Sequence, residues 1–186
     1  MLSIPANTPD KDGSPLIFFD MDGVVADFAG HAVRENKIGP DGNFKSDEMD
    51  EAWWVGIPAF QGARAFFDAA SELARTRFLS GPALNPGCFS GKARWVMNFV
   101  PERGKAILGD LIICRSENKC LLARPNRILV DDSALNIKEW QAAGGIGILH
   151  KGDYAETLKQ LKDAIASLNP APHPRPRGRK DPFKPS

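Results

Sequence analysis

Leu16-Ile17-Phe18-Phe19-Asp20-Met21-Asp22-Gly23-Val24-Val25-Ala26-Asp27-Phe28 runs four apolar residues into two carboxylates and a glycine. A short apolar run bounded by a turn signal predicts a parallel strand covered on both faces. At strand period Asp20 and Asp22 point the same way. They stand at the carboxyl end of the strand, where open α/β sheets bind their ligands. Gly23 permits a sharp turn and brings bare backbone close to whatever the carboxylates hold. Helix capping can explain a single acid at such a place. It does not explain two behind a purely apolar strand, since an isolated buried carboxylate is costly.

Working outward, the same pattern returns at Arg127-Ile128-Leu129-Val130-Asp131-Asp132, a second apolar run that ends in two acids. Between and around these runs, helical and strand patterns alternate. Helices are expected over 24–38, 62–75, 89–99, 134–143 and 155–168, and further strands over 76–80, 111–114 and 146–149. Residues 44–60 form a mixed segment with an acidic helix start at Ser46-Asp47-Glu48. Ser116-Glu117-Asn118-Lys119 reads as a polar turn. Alternation of this kind predicts an α/β fold, a Rossmann-like parallel sheet of about five strands flanked by helices. Residues 30–62 exceed what a simple crossover needs and are expected to form a small helical cap inserted after the first strand. The core is then 16–29 and 63–168, with a flexible lead at 1–15.

All strand ends of a parallel sheet lie on one edge, so Asp20, Asp22, Asp131 and Asp132 are expected to meet. Four carboxylates repel unless a cation binds, and oxygen ligands suit Mg²⁺. For Asp131-Asp132-Ser133 taken alone, helix capping is the alternative. A carboxylate can also be a nucleophile in phosphoryl transfer, given a metal to offset charge and a second acid to move protons. Ser80 and the Gly81 backbone, at the end of the second strand, are suitable donors for phosphate oxygens.

Asp20-Met21-Asp22-Gly23, Leu79-Ser80-Gly81, Lys119 or Lys92, and Val130-Asp131-Asp132 resemble, in order, the four motifs of the haloacid dehalogenase superfamily of phosphohydrolases. More narrowly, Ala26-Asp27-Phe28, Trp53-Trp54 before Pro58, and Lys92-x-x-Trp95-Val96 resemble the 5'(3')-deoxyribonucleotidase family. The resemblance spans roughly residues 16–150. It implies that Asp20 is the nucleophile and Asp22 the general acid/base. It implies that Asp20, the Asp22 carbonyl and Asp132 hold Mg²⁺, with Asp131 behind them or as an alternative ligand. Lys119 is expected to contact the nucleophile and phosphate, with Lys92 in support. Phe28 is expected to pack near a nucleobase, and Trp53 is a second substrate-side candidate. Core packing of the cap is the stronger reading of Trp53, Trp54 and Phe60. The chain departs from the pattern at Asn136, where some members carry an acid, and at Leu84-Asn85, which offer no cation. The activity implied is a phosphomonoesterase acting on (deoxy)nucleoside monophosphates. A sugar phosphate, a polynucleotide end, or a non-catalytic role for the basic tail are the alternatives.

Charge bears on these alternatives. The net charge of +1 divides into five cations against one acid from Asn169 onward, which leaves −3 for the first 168 residues. The body therefore has no basic surplus for nucleic acid. The Pro/Arg-rich tail, 169–186, is expected to be disordered and solvated; an acidic partner or nucleic acid is its alternative. No run of about 18 apolar residues suggests a membrane span, and no basic-then-apolar leader suggests secretion. Cys88, Cys114 and Cys120 are an odd number without a CxxC pair. They are expected to be reduced thiols in a cytoplasm-like compartment, a Cys114–Cys120 bridge being the alternative.

Overall fold

Residues 13–168 are described by the computed structural model; most of the lead and all of the tail considered above lie outside them. Five strands form one all-parallel sheet: β1 (Leu16–Phe19), β2 (Arg75–Ser80), β3 (Leu111–Ile113), β4 (Arg127–Asp131) and β5 (Ile146–Leu149), in the order β3-β2-β1-β4-β5. The α/β expectation and the expected strands agree with this to within a residue or two.

Alternation along β1 divides the core in two. Ile17 and Phe19 enter a large apolar cluster with Phe78, Ile128 and Val130. Leu16 and Phe18 face the other way, with Leu79, Leu129 and Trp140. The larger cluster is covered by α3 (Ala63–Leu73), α4 (Pro86–Phe99) and α6 (Tyr154–Leu168). The smaller one is covered by α5 (Ala134–Ala142) and a 3-10 segment at Ser116–Leu122. Every residue of β1 is buried, as a strand covered on both faces must be.

The order of connections sets the site. From β1 the chain steps to β2 and β3, then returns past β1 to β4 and β5. The direction of winding therefore reverses between β1 and β4, which pair in register from Leu16↔Arg127 to Phe19↔Val130. Open α/β sheets form their ligand crevice at such a reversal. Both acid-terminated strands border it.

Several local expectations are corrected. The helix expected at 24–38 is only α1, Phe28–Arg34. Before it, the Met21 carbonyl accepts from the amides of Val24, Val25 and Ala26, and this turn consumes the residues assigned to the first helical turn. Asp27 then caps α1 by accepting from the Gly30 amide. At the other end, α4 begins three residues earlier than the apolar pattern suggests. Asn85 accepts from the Cys88 amide, and Pro86 occupies the first turn, where its missing N–H costs nothing. The polar turn at 116–119 is the start of the 3-10 segment.

Residues 30–62 contribute α1, a short 3-10 turn at Ser46–Glu48 and α2 (Glu51–Val55), the last capped by Asp50. Trp54 of α2 lies against Gly91 of α4, where any side chain would run into its Cβ. The Asn85 side-chain amide donates to the carbonyls of Ser46 and Met49, which ties this segment to the end of β2. Met49, Trp53 and Trp54 belong to the same apolar cluster as β1. All three cysteines are free. Among the described residues no helix is long and apolar enough to cross a membrane.

Candidate active site

Asp20 follows directly on β1, and its amide donates to the Val130 carbonyl, so it sits level with the end of β4. Asp131 ends β4 and Asp132 follows it. One carboxylate oxygen from each of Asp20, Asp131 and Asp132 can be chosen so that all three lie within 4.8 Å of one another. Gly23, at φ +78°, passes beneath this group; a Cβ there would overlap the Asp132 carboxylate.

Two lysines are folded into the same space, each with only 2% of its side chain exposed. Lys119 Nζ donates to Asp131 Oδ2 at 2.7 Å and stands 3.0 Å from Asp20 Oδ2. Lys92 Nζ, reaching in from α4, donates to Asp22 Oδ2 at 2.6 Å, Ser80 Oγ at 2.7 Å and the Gly81 carbonyl at 2.6 Å. A buried ammonium is tolerated only with such partners. The two cations therefore mark two halves of the site. Lys119 serves the pair Asp20 and Asp131, and Lys92 serves Asp22 and the end of β2.

Asp131 has little left to offer a ligand. Its Oδ1 accepts from the Ser133 amide at 2.9 Å, and Asn136 Nδ2 lies 3.0 Å from both of its oxygens. Asn136, which the sequence presents as a missing acid, thus orients Asp131 from the first turn of α5. Its position five residues after Asp131 is the only sequence signal for this. Asp20 is held on its other side by the Met21 amide, 2.8 Å from Oδ1. Asp22 Oδ1 is buried and finds no hydrogen-bond partner among the described residues.

Electrostatics reflect this crowding. Burial pushes Asp20 up to about 7, with Asp131 and Asp22 adding to the effect and Lys119 opposing it. Burial of its inner side raises Asp132 too, again with Asp131 adding. For Lys119 burial works to lower the pKa, but the two carboxylates outweigh it and the ammonium is held above its usual range. The donor set of Asp20, Asp131 and Asp132 is oxygen throughout, without histidine or cysteine. That chemistry fits a hard divalent cation such as Mg²⁺.

The aromatic candidates sit apart from the acids but not isolated from them. Half-buried Phe28 stacks on Trp54 at 5.4 Å and meets Phe44 edge-on at 4.7 Å. The Trp54 ring in turn lies 5.2 Å from Lys92 Nζ. Trp53 is 9% exposed, packed against Phe28, Trp54 and His31, and so is mainly core. Phe60 stands at the core's edge and is more exposed.

No family model matches the chain, and no curated protein matches it. Among solved structures, an uncharacterized protein from Corynebacterium glutamicum is similar over 83% of this chain and 96% of its own, at 16% identity and a TM-score of 0.48. A likeness this loose says nothing about the site.

Proposed function

We propose that the chain is a Mg²⁺-dependent phosphomonoesterase of the haloacid dehalogenase type, acting on (deoxy)nucleoside monophosphates through an acyl phosphate on Asp20. The observation that carries this reading is the pairing of two acid-terminated strands at the winding reversal with two buried lysines. Lys119 stands on Asp20 and Asp131, and Lys92 on Asp22, Ser80 and Gly81. A structural ion-pair network has no need of four carboxylates on one edge.

Asp20 is the nucleophile. One of its oxygens bonds to phosphorus as the bond from phosphorus to the alcohol oxygen breaks. Asp22 gives that leaving oxygen a proton and later takes one from the attacking water. Water then bonds to phosphorus, and the Asp20 carboxylate is released. Ser80 Oγ is within hydrogen-bond distance of the Lys92 ammonium, which can only donate, so the hydroxyl proton remains for a phosphate oxygen. Lys119 orients Asp20 and places a positive charge beside it. Asp20, Asp132 and the Asp22 carbonyl would hold Mg²⁺, with Asp131 fixed behind them by Asn136. When bound, the cation offsets the repulsion between carboxylate and phosphate. Phe28, joined through Trp54 to the Lys92 corner, is the ring offered to a base.

The test is phosphate release from a panel of phosphomonoesters, with and without Mg²⁺, by the wild type and by Asp20→Asn. Mg²⁺-dependent release that Asp20→Asn abolishes is expected. Activity that survives the substitution would overturn the nucleophile. A preference for sugar phosphates over dUMP and dTMP would overturn the nucleotide assignment. Silence on every ester would favour a binding protein.

A further inference from the structure

An exposed serine hydroxyl ordinarily needs no partner but water. Ser116 is exposed, and its hydroxyl makes no hydrogen bond among the described residues. It also lies outside the four motif segments. Its position sets it apart. Ser116 opens the 3-10 segment Ser116–Leu122 that follows β3, and Lys119 belongs to the same segment. With three residues per turn, side chains at i and i+3 of a 3-10 helix eclipse one another. Ser116 therefore leaves the segment on the side from which Lys119 reaches Asp20 and Asp131, one turn of about 6 Å nearer its start.

A second observation places the same hydroxyl against the end of β2. Gly81 has no positive φ, so its backbone does not require glycine. A Cβ on Gly81 would stand 3.0 Å from Ser116 Oγ, and apart from the chain neighbours no other described atom comes within 4 Å of that point. Glycine at 81 thus leaves room for the Ser116 hydroxyl. Beside it, Ser80 Oγ and the Gly81 carbonyl share the Lys92 ammonium. The hydroxyl stands where the segment carrying Lys119 meets the turn carrying Ser80.

That corner is short of donors. Lys92 has three protons, and Asp22, Ser80 and the Gly81 carbonyl accept all three. Lys119 turns two of its three to Asp131 and Asp20. Among these side chains, a phosphoryl group with three free oxygens finds one lysine proton and the Ser80 hydroxyl.

We infer that Ser116 is a further phosphate-binding residue, its hydroxyl donating to an oxygen of the transferred phosphoryl group. This rests on the phosphomonoesterase reading above and adds to it a contact with the part that every substrate ester shares. Such a contact strengthens binding without choosing among alcohols.

The experiment titrates inorganic phosphate calorimetrically into wild type, Ser116→Ala and Ser116→Asp in the presence of Mg²⁺. It also compares their KM for thymidine 5'-monophosphate and glycerol 3-phosphate, with thermal melts to show that each is folded. Ser116→Ala is expected to weaken phosphate binding about five- to tenfold and to raise KM for both esters by the same factor. Ser116→Asp is expected to weaken both further, because its charge repels the phosphate. A serine that served only the fold would move the melts and not the phosphate affinity. Unchanged phosphate affinity in both variants, with an active wild type, would overturn the Ser116 contact and leave the phosphomonoesterase standing. A rise in KM for one ester alone would overturn it too, since the hydroxyl would then serve the alcohol. A wild type that neither binds phosphate nor hydrolyses either ester would overturn both.

Discussion

Asp20 is the residue with most at stake. Its carboxyl is buried, level with the end of β4, and raised to about 7 by burial and by the neighbouring acids. An acid whose folded pKa is raised is favoured in its protonated form by the fold. It is neutral below its ordinary value of 3.8. Ionising it costs stability progressively as pH rises towards about 7, and the full cost is present above that. A bound cation reverses this, because the ionised form becomes the ligand and protons compete with the metal. Mg²⁺ is therefore expected to raise the melting temperature more at pH 8 than at pH 5.5. Asp20→Asn should be the more stable protein without metal at pH 8, and should lose most of the Mg²⁺ shift. Equal shifts at both pH values, measured by scanning calorimetry, would count against Asp20 as a ligand. Lys119 limits the effect but cannot remove it, since its single charge is shared with Asp131.

At the scale of elements, the site depends on how helix ends are capped. Ser133 caps α5 through the Asn136 amide, and Asn136 uses its side chain to hold Asp131. The first turn of α5 is therefore fastened to the end of β4 at two points. Asn136→Ala leaves the cap but frees the Asp131 carboxylate to turn. Groups that orient ligands from behind commonly contribute about 10–100-fold to metal affinity or activity. A loss of that size in Mg²⁺ affinity is expected, with far-ultraviolet circular dichroism unchanged; isothermal titration would read it. Asn85 does the same kind of work at α4. It caps the helix that carries Lys92 and anchors the 46–49 turn, so the segment after α1 and the lysine on α4 are located by one side chain.

For the whole molecule, the two edges of the sheet are electrostatically different. The carboxyl edge gathers acids at the reversal between β1 and β4. The opposite edge holds Asp110, which accepts from Arg75 at 2.9 Å and from Arg103, with Arg77 at 3.4 Å. Burial alone would raise Asp110, but the hydrogen bonds from Arg103 and Arg75 outweigh it and hold the carboxyl below its usual range. A depressed acid contributes stability that is fully present above its ordinary pKa and is lost as pH falls through the folded value. Asp110→Asn should therefore cost about 1–2 kcal/mol at pH 7, moderated by the exposure of Arg75 and Arg103. In urea titrations the gap to wild type should close below about pH 4. A gap independent of pH would mean that packing, not charge, holds this edge together.

Much of the molecule was legible in the chain itself. The strands could be read because Leu16–Phe19 and Ile128–Val130 are continuous apolar runs, and a doubly covered parallel strand leaves no other pattern. The meeting of the acids could be read because carboxylates directly behind parallel strands are carried to one end of the sheet. Capping was harder to see. The Met21 turn shortened α1, and Asn85 and Pro86 lengthened α4, because backbone hydrogen bonds and not apolar period set helix ends. Two matters were decided only by tertiary structure. Lys119 went to Asp20 and Asp131 while Lys92 went to Asp22, because twelve and seventy residues of separation say nothing about where a flexible side chain ends. Asn136 became the holder of Asp131, since a neutral amide on α5 meets that carboxylate only once helix and strand are packed. Local sequence carries the period and the chemistry of each segment, and the order of strands in the sheet determines which segments meet.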